Sequence, residues 1–189
     1  MKKITLFMIA LSVSAISFAQ TWTSDKPHSR LGFAVTHLGI NEIDGAFKSF
    51  TATVTASKDD FSDGVIDLSA DISSISTDVD QRDTHLKSAD FFDATTFPTL
   101  TFKSTSFKKV GANKYEATGN LTLHGVTKPV TLEATLVGST LNPMNKKPTV
   151  GFHVTSTIKR TDFGIGTKFP TAMLSDDVLL VANIELVKG

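Results

Sequence analysis

The residues whose types suit chemistry cluster in two stretches of the sequence. Arg82, Asp83 and His85 fall within four consecutive positions, and Arg160 is followed by Asp162. An arginine carries a planar fork of donors that suits phosphate or carbonyl oxygens. Arg82, His85 and Arg160 are therefore candidates for binding the polar group of a ligand. The alternative is structural: Arg82 or Arg160 pairs with an aspartate and ties its segment to the rest of the fold, and the candidate partners are Asp83, Asp90 and Asp162.

Other reactive constellations are missing from the sequence. It contains no G-x-S-x-G, H-E-x-x-H, P-loop or dinucleotide fingerprint, and it has no cysteine to act as a nucleophile, form a disulfide or carry a lipid anchor. Its histidines lack the paired spacing of a metal site; they are His28, His37, His85, His124 and His153. We therefore expect no enzymatic activity, no metal and no cofactor.

The first 19 residues have the pattern of a signal peptide. Lys2 and Lys3 form a charged start, residues 4–16 are mostly apolar, and small residues flank the end at Ala19. The apolar run is too short and too often interrupted by serine to span a bilayer, which needs roughly 20 apolar residues. We expect the mature chain to begin at Gln20, to lie in the periplasm or be secreted, and to have no stable membrane anchor.

Length and charge bound the remaining sequence. Residues 20–189 suit one domain with a single core. The whole sequence carries 19 basic and 19 acidic residues, with no block of Lys or Arg long enough to follow a phosphate backbone. Nucleic acid is therefore not an expected partner.

Most of the sequence after the signal peptide alternates with a period of two, the pattern of strands with one apolar face. About eight such strands occur, and the turn signal Asp44-Gly45 separates the first two. Short turns imply antiparallel neighbours, and eight antiparallel strands close most simply into an up-and-down barrel. We predict an all-β, eight-stranded antiparallel, lipocalin-like barrel; a two-sheet sandwich is the competing architecture.

Two segments depart from the strand pattern. Residues Thr77–Asp90 lose the alternation and contain an Asp78 and Gln81 pair that resembles a capping box, which predicts a short helix between strands. Residues Arg160–Pro170 are glycine-rich and predict a loop or helical turn that crosses one end of the barrel.

The interior of such a barrel is either a filled core or an apolar cavity for one ligand, because eight-stranded barrels do both. If the apolar faces point inward, the candidates for lining a cavity are Phe33, Val35, His37, Phe50, Val54, Leu132, Phe152 and Val154. His37 is either an interior histidine satisfied by the protein or a hydrogen-bond partner of a ligand. A slip of one residue in register would invert the contribution of any strand.

Four motifs add a resemblance to this reading. They are WTSDKPHSRLGFAVTHLG (22–39), SISTDVDQRDTHLKSADFFDATTFPTLTFKST (74–105), GNLTLHGVTKPVTL (119–132) and IKRTDFGIG (158–166). Together, and in this order, they closely resemble the YceI-like family of periplasmic polyisoprenoid-binding proteins. The resemblance covers essentially all of residues 20–189, and it identifies them as a YceI-like lipid-binding domain.

The resemblance implies an extended lipocalin-like barrel whose internal pore holds an isoprenoid chain, quinone-like or polyprenyl, or another long amphiphile. It implies binding, carriage or storage of that lipid; the alternatives are an enzyme or accessory factor acting on such a lipid, or a structural barrel with a filled core. A homodimer is a further expectation. The positions that match the signatures are Arg82, Asp83, His85, Leu86, Phe91, Phe92 and Pro98, and Arg160, Asp162, Phe163 and Gly164. Arg82, His85 and Arg160 are the candidates for contact with the lipid's head group.

Overall fold

The computed structural model describes residues 19–189, which form an antiparallel β-sheet and one short α-helix. The strands are β1 (Gln20–Ser24), β2 (Arg30–His37), β3 (Asn41–Phe47), β4 (Phe50–Ala56), β5 (Val65–Asp71), β6 (Ile75–Ser76), β7 (Thr99–Lys109), β8 (Lys114–Leu123), β9 (Val126–Leu141), β10 (Pro148–Lys159) and β11 (Leu174–Lys188). The helix α1 spans Asp80–Lys87. The predicted signal peptide, residues 1–19, lies outside the described part except for Ala19, and it stays a prediction.

The sheet closes on itself as a barrel. The ring runs β1-β4-β5-β7-β8-β9-β10-β11, and β11 returns to pair with β1. All the neighbouring strands are antiparallel. This confirms the predicted eight-stranded antiparallel barrel and rejects the sandwich.

Eleven strand segments make eight strands because three strands are interrupted. β1 and β2 both pair with β11 and are separated by a 3₁₀ turn at Lys26–His28. β3 and β4 run on as one strand broken at Lys48 and Ser49, and β5 and β6 are separated by a 3₁₀ turn at Ile72–Ser74. β2, β3 and β6 therefore extend the barrel wall at one end, beyond the closed ring.

The alternation of side chains separates the barrel interior from solvent. In β8, Tyr115, Ala117, Gly119, Leu121 and Leu123 are buried, while the residues between them are exposed or half-buried. Buried residues form two adjoining clusters along the barrel, one around Phe102 and the other around Phe152. The core is thus the inner face of a single sheet.

The segment between β6 and β7 contains the predicted helix, but the helix is shorter than the sequence suggested. Asp78 has a positive φ of 60°, and Ser88 is extended, so the helix cannot reach either predicted end. The predicted capping box is wrong: the N-cap residue is Val79, which has no side-chain cap. No helix among residues 19–189 is long and apolar enough to cross a membrane.

Candidate ligand-binding cavity

The barrel encloses two adjoining cavities rather than a filled core. The narrower has a volume of about 130 Å³ and lies in the closed ring. The wider has a volume of about 330 Å³ and lies between the barrel wall, α1 and the loop after β10. Four residues line both cavities and are called the collar: Phe47, Leu100, Leu121 and Leu180. The two cavities therefore follow one another as a lumen with a constriction between them.

Aromatic rings close the end of the narrower cavity. Phe107 and Phe152 line it, with Phe61 and Tyr115 packed behind them. The ring centroids of Phe61 and Phe152 are 5.6 Å apart, and those of Phe107 and Tyr115 are 5.1 Å apart. The Tyr115 hydroxyl donates to the Asp60 carbonyl at 2.8 Å, which ties the loop carrying Phe61 to the barrel. We call these four aromatic residues the floor.

The wider cavity reaches the protein surface. Three of its lining residues, His37, His85 and Met173, are also exposed to solvent. Most of its other lining residues are apolar, and Thr77, Arg82 and Arg160 contribute polar side chains to its wall. The lumen therefore has an apolar closed end and a polar end at the surface.

Seven of the eight residues predicted to line a cavity do so. Phe33, Val35 and His37 line the wider cavity, and Val54, Leu132, Phe152 and Val154 line the narrower one. His37 is exposed at the surface end rather than buried in the interior. Whether these residues contact a ligand stays a prediction.

Phe50 is the exception. It packs against both core clusters but lines neither inner cavity; instead it borders a shallow outer pocket with Lys26, Pro27 and Arg30. It is the first residue of β4, directly after the break at Lys48 and Ser49 where the strand is interrupted. Its assignment to the cavity was therefore wrong.

Phe33 lies flat against the wall because its partner in β3 is a glycine. A Cβ at Gly45 would lie 2.1 Å from Cζ of Phe33. The absence of a side chain lets the ring lie over the strand instead of across the lumen. Gly45 is thus inside a strand, and the predicted turn at Asp44-Gly45 was wrong.

Arg160 is buried and uses all its donors within the protein. An arginine has five N–H groups, and here each donates to a backbone carbonyl: those of Ile165, Gly166, Phe169, Leu174 and Ser175. No carboxylate in the described chain forms an ion pair with Arg160, so the predicted aspartate pairing was also wrong. Arg160 therefore organises the loop after β10 and leaves no N–H for a ligand.

Arg82 is half-buried and only partly satisfied. Its Nε donates to the Thr77 hydroxyl at 2.7 Å, and its Nη2 donates to the Thr77 carbonyl at 2.9 Å. Among residues 19–189, no group accepts a hydrogen bond from its Nη1, and no carboxylate pairs with it. Arg82 is therefore the arginine of this cavity with donors available to a ligand.

The carboxylate of Asp83 holds the same threonine. Its Oδ1 accepts from the Thr77 amide at 2.7 Å and from the Thr77 hydroxyl at 2.6 Å. Burial acts to raise the pKa of Asp83, but the hydrogen bonds from Thr77, together with the charge of Lys87 and a hydrogen bond from Ser76, outweigh it, so this pKa lies below its ordinary value. Thr77 thus joins Asp83 to Arg82 and fixes the guanidinium at the cavity wall.

His85 connects α1 to the loop after β10. Its ring lies edge-on to Phe91 and to Phe169, with centroids 5.0 Å and 5.8 Å away, and these two phenylalanines stack at 4.9 Å. Its Nε2 lies 3.5 Å from Asp90, which Lys168 also contacts. The hydrogen bond from Lys168, followed by that from His85, lowers the pKa of Asp90. His85 thus belongs to a layer that joins the two segments over the wider cavity.

Sequence reasoning missed the collar. Leu100, Leu121 and Leu180 lie on apolar faces that the alternation had identified, but nothing in their types marks a constriction. Phe47 was missed because the predicted turn at residues 44 and 45 removed it from any strand. A correct register for β3 would have placed it on the inner face.

One group of side chains outside the lumen has the composition of a metal site. Ligand atoms of Asp25, His28 and Glu185 lie within 4.8 Å of one another. Nδ1 of His28 already lies 2.7 Å from the Asp25 carboxylate, and that hydrogen bond and charge raise the pKa of His28. Asp25 and His28 thus form an ion pair when His28 is protonated. That the protein binds no metal stays a prediction.

Comparisons with known proteins agree with this geometry. The YceI-like domain matches residues 22–186. Protein YceI from Salmonella arizonae is 38% identical over 175 residues, covering 93% of this chain and 90% of that protein. The crystal structure of Burkholderia cenocepacia BcnA has a TM-score of 0.76 at 27% identity and covers 86% of this chain and 98% of that one.

A second solved structure shows the fold alone. It is a polyisoprenoid binding domain from Saccharophagus degradans, with a TM-score of 0.64, 14% identity, and coverage of 89% of this chain and 98% of that one. Because the domain match spans nearly all of the described residues and a relative exceeds a third identity over most of both chains, this chain belongs to the YceI-like family.

Proposed function

We propose that this protein binds and carries, or stores, an isoprenoid or similar long-chain amphiphile in the bacterial periplasm. The observation that carries the proposal is a two-part apolar lumen with an aromatic closed end and a polar end at the surface. A water-soluble substrate would gain little from such walls, whereas a lipid tail would be removed from water along its whole length.

The tail accounts for most of the expected affinity. Each methylene transferred from water contributes about 0.8 kcal/mol, so one five-carbon isoprene unit contributes about 4 kcal/mol before the costs of association. A few units in the lumen are enough for tight binding. The polar side chains at the surface end orient the lipid and contribute the smaller part of its affinity.

The head group lies, in this proposal, beside Arg82. The free Nη1 of that guanidinium suits a carbonyl, carboxylate or phosphate oxygen. His85 and His37 lie along the same cavity and complete the polar end. Arg160 is not included, since its donors are occupied by carbonyls.

Carriage is favoured over catalysis on the lipid. Of the three polar candidates for an enzyme, Arg160 has a structural role, and His85 is engaged with two aromatic rings and Asp90. The signal-peptide pattern of residues 1–19 supports an exported protein. The name of the Saccharophagus degradans structure and the family membership support a lipid as ligand.

Blocking the lumen tests the proposal. Leu180 lies in the collar, whereas its neighbour Leu179 points outward and is 37% exposed. Leu180→Trp places an indole across the constriction, and Leu179→Trp is the matched control on the outer face. We expect Leu180→Trp to lower the affinity for a fluorescent polyprenol analogue at least about tenfold and Leu179→Trp to leave it unchanged. Equal affinities in both variants would place the lipid outside the lumen and reject the proposal.

A further inference from the structure

The lumen is closed at one end and open at the other, so a linear chain has one direction in which to enter. Of the floor residues, Phe61, Tyr115 and Phe152 are 3%, 2% and 7% exposed and Phe107 is half-buried, so packed aromatic rings lie between the narrower cavity and solvent at this end. The polar end, with Arg82, is the one that reaches the surface. A chain held by its head at that end must therefore end inside the protein.

The collar and the narrower cavity restrict what can pass beyond the wider one. The cavity volume falls from about 330 Å³ to about 130 Å³ across Phe47, Leu100, Leu121 and Leu180. The narrower cavity is bounded by closely packed small residues such as Ala117 and Ala134, which are 0% and 5% exposed. This space suits the end of a single chain, and each added carbon moves that end towards Phe107 and Phe152.

We propose that the floor acts as a ruler that sets the maximum length of the lipid chain. The inference rests on the proposed function and adds a residue, Phe152, that determines specificity. Affinity rises with chain length while added methylenes enter the lumen, by up to about fourfold for each one. Once the chain end contacts Phe152, further carbons must buckle the chain or push the head group out of contact with Arg82, and the rise stops.

The chain length at which the affinity stops rising is called the break. Two substitutions in the lumen move the break in opposite directions. Phe152→Leu removes part of the floor and lets a longer chain enter, so the break moves to longer chains. Ala134→Leu fills the narrower cavity, so the break moves to shorter chains. Phe163→Leu is the matched control for the first, because Phe163 is also buried, at 2% exposure, but lines neither cavity.

The probes are straight-chain fatty acids of about 10 to about 24 carbons, which change length one methylene at a time. Each competes below its micelle concentration against a fluorescent fatty acid. Wild-type protein and Phe163→Leu are expected to show the same break, with Phe152→Leu above it and Ala134→Leu below it.

The outcomes separate the ruler from the proposed function. Binding without a break in the wild-type protein, or a break that neither lumen variant moves, overturns the ruler and leaves lipid binding intact. A wild-type protein that binds no chain of any length overturns both. If Phe152→Leu does not fold, the shift in Ala134→Leu decides the result.

Discussion

Two arginines of the same cavity have different roles because different groups accept their hydrogen bonds. Arg160 donates to five backbone carbonyls within its own loop and the start of β11. Arg82 donates twice to one threonine and retains an unpaired nitrogen among the described residues. The type of residue could be read from the sequence, but the partners depend on how the two loops fold back at the barrel end.

Arg160→Ala should therefore destabilise the protein strongly. It leaves five carbonyls without their donor in a buried site, and we expect a loss of about 3–5 kcal/mol in the free energy of unfolding. Arg160→Lys should recover only part of this loss, since a lysine has three donors. Urea unfolding followed by fluorescence measures both. A loss below about 1 kcal/mol for the alanine variant would contradict the structural role.

Arg82→Ala should act on the ligand instead of the fold. Removing a charge-assisted hydrogen bond costs about 1.5–3 kcal/mol, so the affinity for an anionic amphiphile should fall about 10- to 150-fold. The affinity for an alkane-like probe without an acceptor oxygen should change little. Titration calorimetry with a fatty acid and with its hydrocarbon analogue gives the comparison. Equal losses for the two probes would show that Arg82 does not contact the head group.

The hydrogen bonds to Asp83 predict an acid dependence of stability. Because the folded-state pKa of Asp83 lies below the ordinary value of 3.8, the contribution of the carboxylate is complete above that value. It is lost as the pH falls through the lower pKa of the folded state. Asp83→Asn should therefore be less stable than wild type at pH 7, and the difference should shrink below pH about 4. A difference that is constant with pH would contradict the role of the charge.

At the scale of elements, the loop after β10 depends on a glycine. Gly166 has a φ of +59°, and a Cβ there would lie 2.8 Å from Phe91, the ring that stacks on Phe169. Gly39, in the turn between β2 and β3, has a similar φ of +69° but nothing within 4 Å of a Cβ. Substituting each of the two glycines therefore separates the effect of backbone strain from the effect of the contact between the loop and the segment carrying α1.

Gly39→Ala should cost about 1 kcal/mol from backbone strain alone. Gly166→Ala should cost at least about 1 kcal/mol more, because it also displaces Phe91. Thermal unfolding measures both variants, and hydrogen exchange of residues 160–174 reports the loop directly. Equal effects in the two variants would mean that Phe91 moves without cost and does not hold the loop.

The strands could be predicted from the sequence more fully than the cavity. Alternation alone identified the inner face of the long strands, as in β8, because one side faces the lumen and the other faces water. It failed at Gly45, which leaves room for the Phe33 ring on the neighbouring strand. Because Gly45 follows Asp44, the pair has the sequence of a turn although it lies within a strand. The partition of the lumen by the collar depends on distances across the barrel between strands remote in sequence, which no local pattern contains.

At the scale of the whole molecule, the interrupted strands explain the asymmetry of the barrel. The breaks after β1, β3 and β5 let β2, β3 and β6 extend the wall beyond the closed ring, and α1 fills the side next to β6. This extension encloses the wider cavity, while the ring encloses the narrower one. Both a homodimer and the absence of nucleic acid partners stay predictions of the sequence.

The most direct test of the central claim is native mass spectrometry of the protein purified from a bacterial periplasm, followed by organic extraction of whatever dissociates. We predict one molecule of a long-chain amphiphile, isoprenoid or similar, bound to each protein chain. A mass equal to that of the protein alone, unchanged after incubation with quinones and polyprenols, would contradict lipid carriage and favour a barrel with a structural role.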